Sequence, residues 1–348
     1  MRLDELQKIA TRRRLDAALV CLPPNIRALT GVVCDNAILQ TSRTRPDSRN
    51  FRTSLSTDFR YIPMVHRVAP QLACRDLKRL KVRGLRIGYE SSIPHAQFLK
   101  FQRLAPRGAV FVDIADDLLA LRAVKTPEEI AKIRAAERLA CEIWQAASAR
   151  FAAGMTERDM ARIIQTLMIE RGEGEAFATI VCVGKNAAEC HHEPDNTVWN
   201  GREPVLVDMG VRLGGVCSDL TRNLVPKRPS SLYKKVYALV REANRAAIAA
   251  ARPGMTGRAL DKIARDVITK GGFDKCFGHS LGHGVGYEIH EAPTASRKSK
   301  MVLKPGMCVT IEPGIYLEGN LGVRIEDLVL ITETGCEVLS DDAHDGRA

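Results

Sequence analysis

No apolar run in this chain approaches the roughly 18 residues that a helix needs to cross a bilayer, so no membrane span is expected. The N-terminal run MRLDELQKIATRRR is charged from its start and lacks the apolar stretch of a secretory signal. Asp4, Glu5 and Asp16 are equally foreign to an acid-poor mitochondrial presequence, and the expected compartment is the cytosol. None of the ten cysteines forms a CxxC pair, which argues against a zinc ribbon; most have apolar neighbours and read as small core residues. Cys190 beside His191 is weak ground for a thiol nucleophile, because catalytic cysteine and histidine meet in space rather than in sequence. Gly184-Lys185 lacks the upstream glycine of a phosphate loop. His192-Glu193 and His290-Glu291 lack the second histidine of HExxH, since Asn196 and Thr294 stand at that spacing.

What is present is ordinary in bulk. A chain of 348 residues, 45% hydrophobic and 27% charged, has the composition of a globular protein and the length of two domains. Charge is uneven: residues 1–120 carry a net +10, the remainder only +1. The basic residues of the first part (Arg12 to Arg14, Arg43, Arg45, Arg49, Arg52, Arg75 to Arg86) are scattered, without an aromatic platform or zinc-finger spacing. A solvated basic surface is expected from them, and no nucleic-acid partner.

Along the chain, residues 3–14 fit a short helix and Ala17 to Leu22 a buried strand closed by Pro23-Pro24. The polar segment 41–57 reads as a loop or weak edge strand. Short strands over 84–89 and 109–114 flank a helical stretch near 94–105. These predict a small α/β domain over residues 1–120. Thr126, with Pro127 and Glu129 after it, predicts the capped start of a helix running to about residue 150.

Residues 121–348 contain a repeat. Gly154-Met155-Thr156-Glu157-Arg158 matches Gly254-Met255-Thr256-Gly257-Arg258, displaced by 100 residues. Each copy follows an Ala-rich helical stretch (128–150 and 231–251) and continues as a Thr-capped helix ending near a glycine. Val205 to Gly210 then parallels Val309 to Gly314. The expected architecture is two helix–helix–strand halves related by a pseudo-twofold, an α+β fold whose sheets form a common floor.

Both halves end in a strand that delivers one carboxylate, a turn, and a second carboxylate: Asp208 and Asp219, then Glu312 and Glu326. Strand alternation places Arg324 on the face of Glu326. Four converging acids would raise one another's pKa, and two divalent cations sharing them would relieve that. Five of the eight histidines cluster nearby, at His191-His192 and at His279, His283 and His290. His66, His95 and His344 are read as structural. The run Gly278 to Gly286 is too glycine-rich for a helix interior; it predicts a loop or irregular strand that lets a ligand or metal come close. Imidazole among carboxylates suits manganese, cobalt, iron or zinc. Gly278-His279-Ser280-Leu281-Gly282 also satisfies GxSxG, but the glycines after Ser280 forbid the helix that a nucleophile elbow needs.

The stretches VDMGVRLGGVCSDLTR (207–222), HSLGHGVGYEIHE (279–291), TIEPGIY (310–316) and GVRIEDLVLIT (322–332), with LRAVKTPEEIAKIRAAE (121–137), resemble the metal-dependent Xaa-Pro peptidases of the methionine aminopeptidase/creatinase superfamily. The resemblance implies a pita-bread catalytic domain over 121–348, preceded at 1–120 by the N-terminal α/β domain of the proline-directed branch, which LDAALVCLPPNIRALTG (15–31) and TDFRY (57–61) also resemble. It implies a dinuclear centre in which Asp208 binds one metal, His283 and Glu312 the other, and Asp219 and Glu326 bridge. It further implies that Glu312 is the general base, that His191, His290 and Arg324 shape the catalytic site, and that His191, His290 and nearby His279 meet the substrate. The expected cofactor is two divalent ions, manganese first, with cobalt or zinc as alternatives. They would lower the pKa of a shared water enough to supply hydroxide near neutral pH. The implied partners are a peptide with proline at its second position and a second copy of the chain in a homodimer. The run His290-Glu291-Ala292-Pro293-Thr294 departs from relatives that carry an arginine soon after this His-Glu pair, Arg297 coming only later. The expectation therefore leans to an aminopeptidase P-like enzyme, with an Xaa-Pro dipeptidase as the alternative. A non-proline aminopeptidase or a non-catalytic binding protein of the same fold stands behind both.

Overall fold

The computed structural model describes every residue except 46, 47, 49, 341–344 and 348; Arg49 and His344 thus lie outside the described residues. The chain divides into two compact units, Met1–Arg122 and Ala123–Ala348.

The first unit holds helices α1 (Leu3–Arg12), α2 (Pro23–Thr30), α3 (Ile62–Val68), α4 (His95–Leu104) and nearly all of α5 (Ala115–Ala123). Its strands are β1 (Ala17–Val20), β2 (Ala37–Arg43), β3 (Phe51–Thr57), β4 (Ala73–Asp76), β5 (Arg86–Tyr89) and β6 (Val110–Asp113), in the sheet order β4-β3-β2-β1-β5-β6. Two expectations are corrected here. Segment 41–57 is largely strand: β2 pairs antiparallel with β3 from Ala37↔Thr57 to Arg43↔Phe51, inside the sheet. Its polarity misleads because Leu39 and Leu55 are fully buried while Thr53 donates to Thr41 across the strands at 3.0 Å, a pairing that suits β-branched side chains. Pro23-Pro24 does not close a strand but opens α2, where proline's fixed φ and missing N–H fit the first turn.

In the second unit α6 (Pro127–Ser148) begins at the expected cap: Thr126 Oγ1 accepts from Glu129 N and Glu129 Oε2 accepts from Thr126 N. Helix α7 (Glu157–Arg171) packs on α6, followed by β7 (Ile180–Val183), β8 (Val205–Met209), the small hairpin β9 (Arg212–Leu213) and β10 (Val216–Cys217), and β11 (Leu220–Val225). The plan then repeats. Helices α8 (Ser231–Ala250) and α9 (Gly257–Lys270) pack together, and β12 (Gly282–Gly284), β13 (Glu291–Ala295), β14 (Cys308–Ile311), the hairpin β15 (Gly314–Leu317) and β16 (Leu321–Arg324), β17 (Asp327–Ile331) and β18 (Cys336–Val338) follow; β19 (Gly346–Arg347) pairs with β11. The repeat extends to single bonds. Gly154 N donates to Trp199 O and Gly254 N to Leu303 O, and Thr156 and Thr256 each cap the next helix.

Each half has its own core, Trp144, Met160, Ile164 and Val207 in the first, Val240, Leu260, Ile311 and Val329 in the second. The floor is made of the sheets β19-β11-β8-β7 and β13-β12-β14-β17-β18; Glu326 N, just before β17, donates to Thr221 O on β11 at 3.3 Å, and Cys217 N on the β9–β10 hairpin donates to Gly286 O at 2.8 Å.

Candidate metal centre

The two halves place their acids alike. Asp208 lies on β8 and Glu312 just beyond β14, each before a glycine two residues on. Asp219 and Glu326 each occupy the second position of a two-residue break between a hairpin strand and the strand after it. The turn of the first hairpin is Gly214-Gly215, whose φ of 60° and 71° suit a type I′ turn. Register then sets Thr221 opposite Asp208 and Asp327 opposite Ile311, which brings Asp208 and Asp219, and Glu312 and Glu326, to the same end of their ladders.

His283, on β12, faces these acids. Its Nε2 lies 3.4 Å from Asp219 Oδ2 and 3.4 Å from Glu312 Oε1. Its Nδ1 bonds to Gly284 O at 3.1 Å, so the proton sits on Nδ1 and the Nε2 lone pair points at two carboxylates. Burial lowers the His283 pKa to about 4, so a charged imidazolium does not reconcile them. Once the acids are ionised, acceptors aimed at acceptors in this place call for a cation. Asp219, His283 and Glu326 each offer a ligand atom within 4.8 Å of the others.

The other acids agree. Burial first, then the neighbouring carboxylates, pushes Asp219 and Glu326 well above the usual range, and burial lifts Glu312 to about 8. Asp208 Oδ1 is buried without a hydrogen-bond partner among the described residues, although Oδ2 accepts from Arg324 at 2.6 Å. A set of four carboxylates and one imidazole, with a spare buried oxygen, fits divalent transition ions.

A polar frame holds the cluster. Thr221 Oγ1 accepts from Arg324 Nε at 3.0 Å and donates to Glu326 Oε2 at 2.7 Å; Thr310 Oγ1 donates to Glu312 Oε1 at 3.0 Å. Arg324 also donates to Tyr316 Oη at 2.9 Å, Tyr316 donates to His279 Nε2 at 2.8 Å, and His279 Nδ1 donates to Ser280 O at 2.8 Å. This chain fixes a neutral His279, whose pKa burial lowers to about 4. Asp219 N donates to Glu137 Oε2 at 3.1 Å.

His290 presents its ring 4.4 Å from that of His283, and both His290 and His191 are exposed. Ser280 is followed by strand β12 rather than a helix, so the nucleophile-elbow reading fails on its context. Sequence reasoning missed Thr221, Thr310, Tyr316 and Glu137. The threonines carry a signal, standing two residues from Asp219 and Glu312, while Glu137 on α6 has none. It also missed a second acidic cluster, Glu157, His192 and Asp195. The Glu157 carboxylate there is already satisfied by Val183 N, Asn186 Nδ2, His192 Nε2 and Asp195 N.

The run 278–286 forms a loop and the short strand β12, whose register shifts between His283 and Gly284, as an irregular strand does. Its glycines admit neighbouring backbone: a Cβ at Gly282 would lie 1.9 Å from Thr310 O, and one at Gly284 2.2 Å from Ala292 O.

Comparison with known proteins agrees with this geometry. Residues 131–333 match the model of metallopeptidase family M24. An Xaa-Pro dipeptidase of Lactobacillus helveticus is 41% identical over 70% of this chain, which spans about two-thirds (66%) of that protein's length. A prolidase structure from Pyrococcus furiosus superposes with a TM-score of 0.88 and 32% identity, covering 96% of this chain and 99% of that one. An X-Pro aminopeptidase structure from Thermotoga maritima gives 0.84 and 30%, covering 96% and 97%. The fold is therefore the pita-bread fold, and the chain belongs to metallopeptidase family M24, a family of metal-dependent peptidases.

Proposed function

We propose that the chain is an Xaa-Pro dipeptidase, a dinuclear metallo-exopeptidase whose ions are held by Asp208, Asp219, His283, Glu312 and Glu326. The observation that carries the metal centre is the His283 Nε2 lone pair aimed at the carboxylates of Asp219 and Glu312, 3.4 Å from each. Relatives named dipeptidase and prolidase favour the dipeptidase alternative over the aminopeptidase expected from the sequence. The aminopeptidase remains the second reading, supported by the missing arginine after His290-Glu291 and by the likeness to an X-Pro aminopeptidase.

Divalent ions in such a site supply a polarised carbonyl and a water of lowered pKa. The chain's own residues do the rest. Glu312, with Oε1 occupied by Thr310, takes and returns the proton at its other oxygen. Arg324 orients Asp208 and, through Tyr316, keeps His279 neutral and fixed. His290, its ring 4.4 Å from that of His283, and His191, near enough to His279 to help lower its pKa, donate to the developing oxyanion and to the proline side of the substrate. Proline has no N–H and a fixed φ, so an enzyme that grips its substrate as an added strand loses a handle, whereas one that grips amine and carbonyl does not.

On this reading residues 1–120 are the accessory domain and 121–348 the catalytic one. The physiological ion is manganese, the active form a homodimer, and its place the cytosol, consistent with the described residues forming no helix long and apolar enough to cross a membrane. The test is turnover of an Xaa-Pro dipeptide, an Xaa-Pro tripeptide and an Xaa-Ala dipeptide after metal stripping and addition of manganese, cobalt or zinc. The dipeptide is cleaved fastest and only with metal. Faster tripeptide cleavage would favour the aminopeptidase, and no proline-directed turnover under any ion would refute both.

A further inference from the structure

We propose that two contacts anchored on buried carboxylates, Glu157–His192 and Lys125–Glu291, are positioning devices for the two substrate-facing histidines, each gripping the residue that follows one of them. The inference rests on the proposed roles of His191 and His290.

Both histidines are exposed and stand outside the strands, so nothing in a sheet ladder holds them. A group that meets substrate needs its backbone fixed to within about half an ångström. At His191 this falls to Glu157, the first residue of α7, whose side chain is wholly buried. Its Oε1 accepts from Val183 N at 2.6 Å and Asn186 Nδ2 at 2.9 Å, and its Oε2 from His192 Nε2 at 2.7 Å and Asp195 N at 3.0 Å. Two of these donors precede His191 and two follow it, so one carboxylate ties both flanks of the segment to the helix. Hydrogen bonds to the carboxylate raise the His192 pKa against the pull of burial.

The repeat shows that this is a device and not a feature of the fold. The second half has Gly257 at the matching position, where even a Cβ would lie 2.0 Å from Thr294 O. There the segment supplies the anion itself. Glu291, next to His290, accepts from Glu288 N at 3.0 Å and from Lys125 Nζ at 2.7 Å; both side chains are almost wholly buried. Gly286 makes the room, since a Cβ on it would meet Glu291 Oε2 at 2.6 Å and Lys125 Nζ at 2.7 Å. The two halves thus solve one problem with unrelated residues, each partner lying one position after its histidine.

A double-mutant cycle tests this on the metal-loaded enzyme with an Xaa-Pro dipeptide. Glu157→Gln and His192→Leu each lower kcat about tenfold at unchanged metal content, as expected for a displaced group rather than a lost one. In a His191→Ala background the same changes add no further loss, because their effect passes through His191. His192→Gln, which keeps a donor for Glu157, restores most of the rate. Glu291→Gln behaves likewise against His290→Ala. Should Glu157→Gln fail to fold, His192→Leu leaves the carboxylate three donors and carries the cycle alone. Losses that multiply in the double variants would overturn the proposal by showing a merely structural role, as would an unchanged kcat. Loss of all proline-directed turnover in the unmodified enzyme would instead refute the function.

Discussion

Asp208 Oδ1 is buried without a partner among the described residues, and His283 turns its lone pair toward Asp219 and Glu312. Each is costly alone, and a pair of cations held by the five residues would relieve both. A pH prediction follows at this scale. Glu312, at about 8, Asp219 and Glu326 bind protons more tightly folded than unfolded, so the metal-free protein loses stability as pH rises toward 8. His279 and His283, lowered to about 4, act in the opposite sense, but only below their ordinary value of 6.5. Between pH 6.5 and 8.5 the carboxylates therefore dominate. The melting temperature of the stripped protein falls across that window, and added manganese raises it more at pH 8.5 than at 6.5, because ligands must be deprotonated to bind. An equal gain at both values would contradict this account.

At the scale of elements the site depends on how closely strands approach. Gly282 lets β12 lie against β14, and a Cβ there would meet the backbone oxygen of Thr310, which cannot swing aside as a side chain tip does. Gly282→Ala should cost about 1–3 kcal/mol in chemical denaturation and weaken metal binding, since His283 is the next residue. A variant with unchanged stability and metal affinity would show that the close approach is dispensable. These contacts explain what was legible beforehand. The cap at Thr126 and the turn between Asp208 and Asp219 are local signals and read directly from the chain. Segment 41–57 was not legible, because its strand character comes from burial of Leu39 and Leu55 and cross-strand threonine pairing, which depend on its neighbours in the sheet.

Across the second unit the duplicated plan makes the four-carboxylate cluster readable. Two copies of strand, carboxylate, hairpin and carboxylate bring Asp208, Asp219, Glu312 and Glu326 together wherever the halves meet. What departs from the duplication stayed hidden: Glu137 reaches Asp219 from α6, Glu157 stands where the other half has Gly257, and Lys125 pairs with Glu291 from the segment before α6. The duplication also yields the most direct test, which is where ions bind. In crystals of the stripped protein soaked with manganese, anomalous diffraction should show two peaks, both among Asp208, Asp219, His283, Glu312 and Glu326. A peak at Glu157, His192 and Asp195 instead, with nothing among the five, would contradict the account.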